Sequence, residues 1–187
     1  MIEVTVTELL MCKHFIPPEW FEAKTIIGKM RHEEIQEKYR EKGCESEVRL
    51  EVQVSENVKL VGKADIICQE NGETVIYEIK PLSNNREAIR RYTTQLQMYL
   101  NMYKAIYGVI PKGVIIYYNR QNKVLTKQSV FYEDILEEMK SVIIDYANWL
   151  QRGDIYIRNP FCGICQYKET CPLRLYPYRK VLVVQNE

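Results

Sequence analysis

Two carboxylates and a lysine, Asp65, Glu78 and Lys80, flank an Asn71-Gly72 dipeptide, and their spacing decides what they can do together. Asn-Gly between alternating apolar residues predicts a two-residue hairpin turn. A turn at 71–72 fixes the pairing: Glu70 with Glu73, Cys68 with Val75, Ile66 with Tyr77 and Asp65 with Glu78. One face of that ribbon carries Ala64, Ile66, Cys68, Val75, Tyr77 and Ile79, an apolar set suited to a core. The other carries Lys63, Asp65, Glu78 and Lys80. Directly opposed side chains have Cβ atoms roughly 4.5–5.5 Å apart, where two like charges destabilise a sheet unless something neutralises them. A hard divalent cation does so through carboxylate oxygens. Lys80 points the same way as Glu78 and can meet a phosphate or orient a water. Charges on a strand face are more often simply solvated, but Gly62-Lys63-Ala64-Asp65 followed by Glu78-Ile79-Lys80 argues for chemistry.

Cysteines form the second chemical set. The chain has six and no export signal, which favours metal binding or buried thiols over disulfides. Cys162-x2-Cys165-x5-Cys171-Pro172 lies near one end and Cys12 near the other. Together they suggest four-cysteine ligation of an iron–sulfur cluster or a structural zinc, and spacing leaves both open. His14 is an alternative to Cys12. Cys44 and Cys68 lack such company and read as bystanders, with Cys68 on the core face of the hairpin.

These residues need a scaffold, and 187 residues suffice for one domain with a core plus a small appendage. Composition is that of a soluble globular protein, 46% hydrophobic and 27% charged. No apolar run spans a bilayer and no signal peptide opens the chain, so the expectation is a cytoplasmic protein without a membrane partner. Net charge is only +1, so any nucleic-acid surface must be local. Thr5 and Glu8 have capping-box spacing ahead of a short helical turn that carries Cys12. A helix is expected over Ala23–Lys42, with Ile27, Met30 and Ile35 on one side. Alternation from Glu47, with Val48, Leu50, Val52 and Val54 on one face, predicts a strand. Strands over Val58–Cys68 and Glu73–Lys80 form the hairpin. Arg86–Tyr107 predicts a long helix with a core stripe of Ile89, Tyr92, Leu96, Tyr99, Leu100, Tyr103 and Ile106. Strands at Gly113–Tyr118 and Val124–Phe131 and a helix over Tyr132–Leu150 follow. Beyond Gly153 the sequence turns Pro- and Cys-rich.

Asp65 followed by strand-borne Glu78-x-Lys80 resembles the PD-(D/E)xK nuclease superfamily. Ala64 stands where the superfamily's name has Pro, but Gly62-x-x-Asp65 is similar to the form used by RecB-type members. Gly28-x-x-x-His32 on the early helix and Gln95-x-x-x-Tyr99 on the later one match two further RecB-type motifs. Cys12 with Cys162, Cys165 and Cys171 resembles the arrangement in the CRISPR-associated RecB-like exonucleases, the fourth Cas family.

The resemblance implies an α/β fold, a RecB-like nuclease core with a mixed central sheet flanked by helices. A small Cys-rich cluster-binding element would be built from both termini. The implied division is 1–22 for the segment contributing one cluster ligand, 23–153 for the nuclease domain and 154–187 for the cluster-binding segment. Mn²⁺ or Mg²⁺ would sit on His32, Asp65, Glu78 and the main-chain carbonyl of Ile79. Lys80 would position water or stabilise developing charge, with Gln95 and Tyr99 holding the arrangement. An iron–sulfur cluster, [4Fe-4S] before [2Fe-2S], would be held by the four cysteines and tie the two ends together. Arg86, Arg90 and Arg91 stand near the start of the long helix, where they could meet phosphates or simply be solvated. The implied activity is a DNA exonuclease on single-stranded ends, 5′ to 3′, trimming spacer precursors alongside Cas integrase proteins. Two rivals remain at this stage: a virus- or plasmid-borne homologue acting in recombination or repair, and a non-catalytic zinc-stapled binding module. The module would have no need for Asp65 opposite Glu78.

Overall fold

The computed structural model describes residues 1–16, 18, 20–119, 125–153, 157 and 162–171, with backbone alone at 20–24 and 163. Its elements run β1 (Ile2–Thr5), α1 (Val6–Leu10), α2 (Trp20–Arg40), β2 (Glu45–Ser55), β3 (Val58–Glu70) and β4 (Glu73–Pro81). They continue with α3 (Arg86–Tyr107), β5 (Lys112–Tyr118), β6 (Leu125–Val130) and α4 (Leu136–Arg152), and a 3-10 turn at Cys162–Ile164 follows. The hairpin forms as the turn residues dictate. Asn71 and Gly72 both take positive φ, 52° and 80°, and the pairs Glu70↔Glu73, Cys68↔Val75 and Ile66↔Tyr77 are those expected.

The fold is α/β, with a mixed six-stranded sheet among the described residues ordered β1-β3-β4-β5-β6, and β2 on the other side of β3. β1 lies parallel to β3, and β5 parallel to β4; the other pairings are antiparallel. Helices cover both faces. α2 buries Ile35 and Tyr39 against Ile66, Tyr77, Ile79 and Ile116. On the opposite face α1, α3 and α4 pack Leu9, Leu96, Tyr99, Ile143 and Tyr146 against Leu60, Ile76 and Ile115. The strand face bearing Glu78 is therefore buried too, not a solvated surface.

Several expectations change. Ile2–Thr5 is a strand that periodicity did not reveal, being only four residues long, and Val4 is fully buried. Residues 1–22 thus contribute β1 and α1 to the core. The Thr5–Glu8 capping box forms, with Glu8 N–H donating to Thr5 Oγ1 at 3.1 Å, but α1 ends at Leu10, so Cys12 lies beyond it. Of the three α2 residues expected on one side, Ile35 turns inward, whereas Ile27 and Met30 are 45% and 61% exposed. On α3 the stripe holds for Tyr92, Leu96, Tyr99 and Leu100, whereas Ile106 is 40% exposed. α4 begins at Leu136 rather than Tyr132. Buried Gln97 and Asn101 bind the backbone of 131–135 and keep it out of the helix. The expected start of β6, Val124, lies outside the described residues, as do Pro172 and most of 154–187.

Cys44 and Cys68 are not bystanders: they form a disulfide. The physical reason is register. Continuing the β2–β3 ladder one step past Glu45↔Ile67 sets these two residues face to face, with Cα atoms 4.5 Å apart, within bridging range.

Candidate active site

The motif Gly62–Asp65 occupies a gap in the sheet. β2 pairs one edge of β3 over residues 58–67. The other edge is shared: β1 takes 58–61 and β4 takes 66–70. Between them the chain turns from β1 into α1, leaving Gly62 to Asp65 unpaired on that side. Gly62 is there because α3 comes close. A Cβ on it would lie 2.6 Å from Cε1 of Tyr99 and 3.1 Å from Cγ2 of Val6, closer than packed atoms approach. Gly28 has the same kind of role on α2, where an added Cβ would meet the Tyr118 hydroxyl at 3.2 Å.

Asp65 alone among β3 residues has no cross-strand partner in any of the ladders. Its opposite number on β2, Glu47, is skipped and carries φ 55°, so both strands change face there. Ala64 packs with the α3-side core but Ile66 with the α2-side core. The expected Asp65–Glu78 pair is thus one step past the end of the β3–β4 ladder. Asp65 instead reaches across, its Oδ2 accepting from Ile79 N–H at 2.7 Å. The same oxygen lies 3.0 Å from His32 Nε2 on α2. One helical turn on, Gln36 donates from Nε2 to the Asp65 main-chain oxygen at 3.2 Å. Glu78 is fully buried, and Lys80 Nζ donates to its Oε1 at 2.5 Å. Lys80 Nζ also sits 5.7 Å from the centroid of the Tyr92 ring. Gln95 Nε2 donates to the Tyr99 hydroxyl at 3.1 Å, the helical-turn pairing their spacing predicts.

Charge in this cluster is tightly balanced. Burial and then the neighbouring Asp65 charge push the Glu78 carboxyl up to about 8, despite Lys80. Burial acts on Asp65 in the same direction, but His32, Lys80 and the Ile79 amide outweigh it and hold Asp65 below its ordinary value. For His32, burial opposes the charge, yet the Asp65 hydrogen bond and charge prevail and its pKa is raised. Lys80 is partly buried, and the Glu78 and Asp65 charges overcome that desolvation and hold it protonated. The Tyr99 phenol is pushed up, first by burial and then by Glu78.

The residues present fit a hard divalent cation. Glu78 Oε2 is a buried oxygen with no hydrogen-bond partner among the described residues, beside a second carboxylate and an imidazole. Among the described residues no three His, Cys, Asp or Glu side chains already converge as a cage, the four cysteines included; at the carboxylates, Lys80 sits on Glu78 and His32 on Asp65. Ile79 enters the cluster through its amide, with a buried side chain.

The other predicted residues are placed elsewhere. Arg86 and Arg90 are exposed on the first turns of α3. Arg91 is not a surface group: it is buried and donates from Nη1 to the Leu10 carbonyl at 3.2 Å, because that side of α3 packs on α1. Cys12, Cys162, Cys165 and Cys171 are of intermediate exposure and take no part in the Cys44–Cys68 disulfide. Their two segments meet, with Gln166 N–H donating to the Ile16 carbonyl at 3.2 Å. Sequence reasoning missed Gln36, whose only signal was its place one turn after His32 on the helix.

The crystal structure of SSO0001 superposes with a TM-score of 0.68 at 20% identity, covering 93% of this chain and 87% of that one. A protein from Eubacterium rectale, named as a candidate exonuclease, overlaps at a TM-score of 0.45 and 15% identity, over 83% of this chain and 61% of that one. No curated protein matches the chain. The family model described as the PD-(D/E)XK nuclease superfamily matches residues 3–172, which takes in β1, the gap motif, Glu78, Lys80 and Tyr99. By that match the chain belongs to the PD-(D/E)XK nuclease superfamily.

Proposed function

We propose that this nuclease is a Mg²⁺- or Mn²⁺-dependent DNA exonuclease whose working groups are Asp65, Glu78 and Lys80. The observation that carries this reading is the buried, unpartnered Glu78 Oε2 next to Asp65 and His32, a donor set short of one cation. Asp65, Glu78, His32 and the Ile79 carbonyl would hold the ion. When bound, the ion supplies Lewis acidity toward phosphate and water. Lys80, kept protonated by its two carboxylate neighbours, offers positive charge to a phosphate oxygen as negative charge develops there. Tyr99, tied to Gln95 and lying over Gly62, steadies the strand that presents Asp65. Arg86 and Arg90 are available to the DNA backbone; Arg91 is withdrawn from that role.

The finer reading rests on the cysteine resemblance. Cys12, Cys162, Cys165 and Cys171 hold an iron–sulfur cluster that ties the ends together. The protein trims single-stranded DNA from 5′ ends, as a processor of spacer precursors beside Cas integrase proteins. The meeting of the two cysteine-bearing segments through Gln166 and Ile16 supports the clamp. No helix among the described residues is long and apolar enough to cross a membrane.

Cleavage of single-stranded oligonucleotides labelled at either end tests this, with Mn²⁺ and with chelator. Asp65→Ala and Glu78→Ala should abolish cleavage at unchanged circular dichroism, and Lys80→Ala should lower turnover without moving half-maximal Mn²⁺ activation. Full activity in either carboxylate variant overturns the assignment, and progressive release from the 3′ end overturns the polarity. Purified protein should be brown and contain iron, with Cys165→Ala colourless and less soluble. A colourless zinc-containing protein would remove the cluster and leave the nuclease.

A further inference from the structure

We infer that Gln36 is a positioning residue for Asp65, holding the strand dislocation that turns its carboxylate into the site. The inference rests on the reading of Asp65 as a cation ligand. Asp65 has no cross-strand partner, whereas the residues flanking it, Ala64 and Ile66, are both paired with β2. A backbone group that leaves a ladder inside a protein must find another partner. The Asp65 carbonyl finds the Gln36 amide at 3.2 Å. Gln36 is itself only 3% exposed, fixed on α2 between Ile35 and Tyr39, both of which are packed in the core.

The geometry gives Gln36 a specific task. His32 and Gln36, one helical turn apart, hold the two ends of one residue: His32 meets the Asp65 carboxylate and Gln36 its carbonyl. With the carbonyl anchored to α2, the side chain spans the opening to β4 and accepts from Ile79 N–H. Without that anchor, β3 can close up on Glu47 and regular pairing would carry Asp65 away from Ile79. Glu47 holds a positive φ at that point, a conformation that ordinary pairing would release. Gln36 thus acts on the cation through Asp65, the role that outer-shell hydrogen bonds play at metal sites.

Gln36→Met keeps length and volume and removes the donor; Gln36→Glu keeps polarity but cannot donate to a carbonyl when ionised. Two measurements read the effect: Mn²⁺ binding to DNA-free protein by calorimetry, and hydrogen exchange of the Ile79 amide relative to that of Ile76 in the paired part of β4. Both variants should bind Mn²⁺ about 10–100-fold more weakly, with Ile79 exchange accelerated and Ile76 unchanged. Ile35→Val, a core change on the same helix, should lower the melting temperature and leave both readouts alone. A folded Gln36→Met with wild-type Mn²⁺ affinity and wild-type Ile79 exchange overturns the inference, as does an Ile35→Val that reproduces its effects. Asp65→Ala separates the two levels. Should it leave Mn²⁺ binding intact, the ligand reading falls, and Ile79 exchange alone then decides whether Gln36 positions Asp65.

Discussion

Gly62→Ala puts one methyl group where the structure has least room. The new Cβ would stand 2.6 Å from Tyr99 Cε1 and 3.1 Å from Cδ1, with Val6 Cγ2 at 3.1 Å on another side. Ordinary carbon contacts are near 3.5–4.0 Å, so the ring must shift by about 1 Å. It has nowhere easy to go: Tyr99 is 2% exposed and its hydroxyl is bound by Gln95. Overpacking of this kind costs about 1–3 kcal/mol. Losing a glycine from the unfolded chain returns roughly 0.4–1 kcal/mol where the backbone tolerates Ala. The net is a destabilisation of about 1–2 kcal/mol, or roughly 2–8 °C in melting temperature for a chain of this size. Thermal unfolding by circular dichroism in chelator reads the loss. Mn²⁺-dependent cleavage at a permissive temperature should fall as well, because the displaced ring pulls on Gln95. In the Gly62→Ala, Tyr99→Leu double variant the clash is gone, so the two losses should fall short of additivity by about 1 kcal/mol or more. A Gly62→Ala protein as stable as wild type, or strictly additive losses, would refute the steric reading of the glycine.

Three further outcomes follow from the same coordinates. Because the folded Glu78 carboxyl is raised to about 8 from an ordinary value of 4.5, the native state binds more protons between these values. Metal-free stability should therefore be fullest below pH 4.5 as far as this group is concerned, and fall as pH rises through 8; Glu78→Gln in chelator should flatten that slope in urea titrations. Asn101→Ala strips Glu133 O and Ile135 N–H of their partner at a position 1% exposed, and should cost about 2–4 kcal/mol by chemical denaturation. Reducing the Cys44–Cys68 bridge, which closes a loop of 24 residues, should lower stability by about 3 kcal/mol under dithiothreitol, an effect absent from Cys44→Ala.

How far the sequence could be read depended on whether a local rule set the outcome. Asn71-Gly72 determines its own turn and therefore the register from Glu70↔Glu73 to Ile66↔Tyr77, so the hairpin was legible residue by residue. So was α3, where period and capping agree over Arg86–Tyr107. The site was legible as a set of residue types in order, but its geometry was not. A regular ladder extrapolates to Asp65 opposite Glu78, whereas the sheet breaks at that step, and the break depends on β1, β2 and α2 together. Ile2–Thr5 is too short for alternation to stand out. Cys44 and Cys68 meet only through β2–β3 register, which no short-range turn announces. Arg91 shares a helix turn with Arg90, and only the docking of α1 distinguishes the buried one from the exposed one.

The ion pairs His32–Asp65 and Lys80–Glu78 also bear on how the site would take a cation. Each carboxylate already has a positively inclined neighbour, His32 on Asp65 and Lys80 on Glu78. Buried like charges cannot both remain ionised without such company, and the raised Glu78 shows that even two neighbours do not fully offset the burial. Asp65 and Glu78 would hold a divalent ion, which would supply positive charge beside both carboxylates, and Lys80 would keep its place on the strand. Lys80 and Glu78 lie two residues apart on β4, paired to Tyr117 and Ile115 of β5, so the backbone holds their separation fixed whether or not they touch. What changes is the direction of one flexible side chain. With a cation held by the carboxylates, Lys80 would be able to turn from Glu78 toward a phosphate, since a single hydrogen bond links the two side chains.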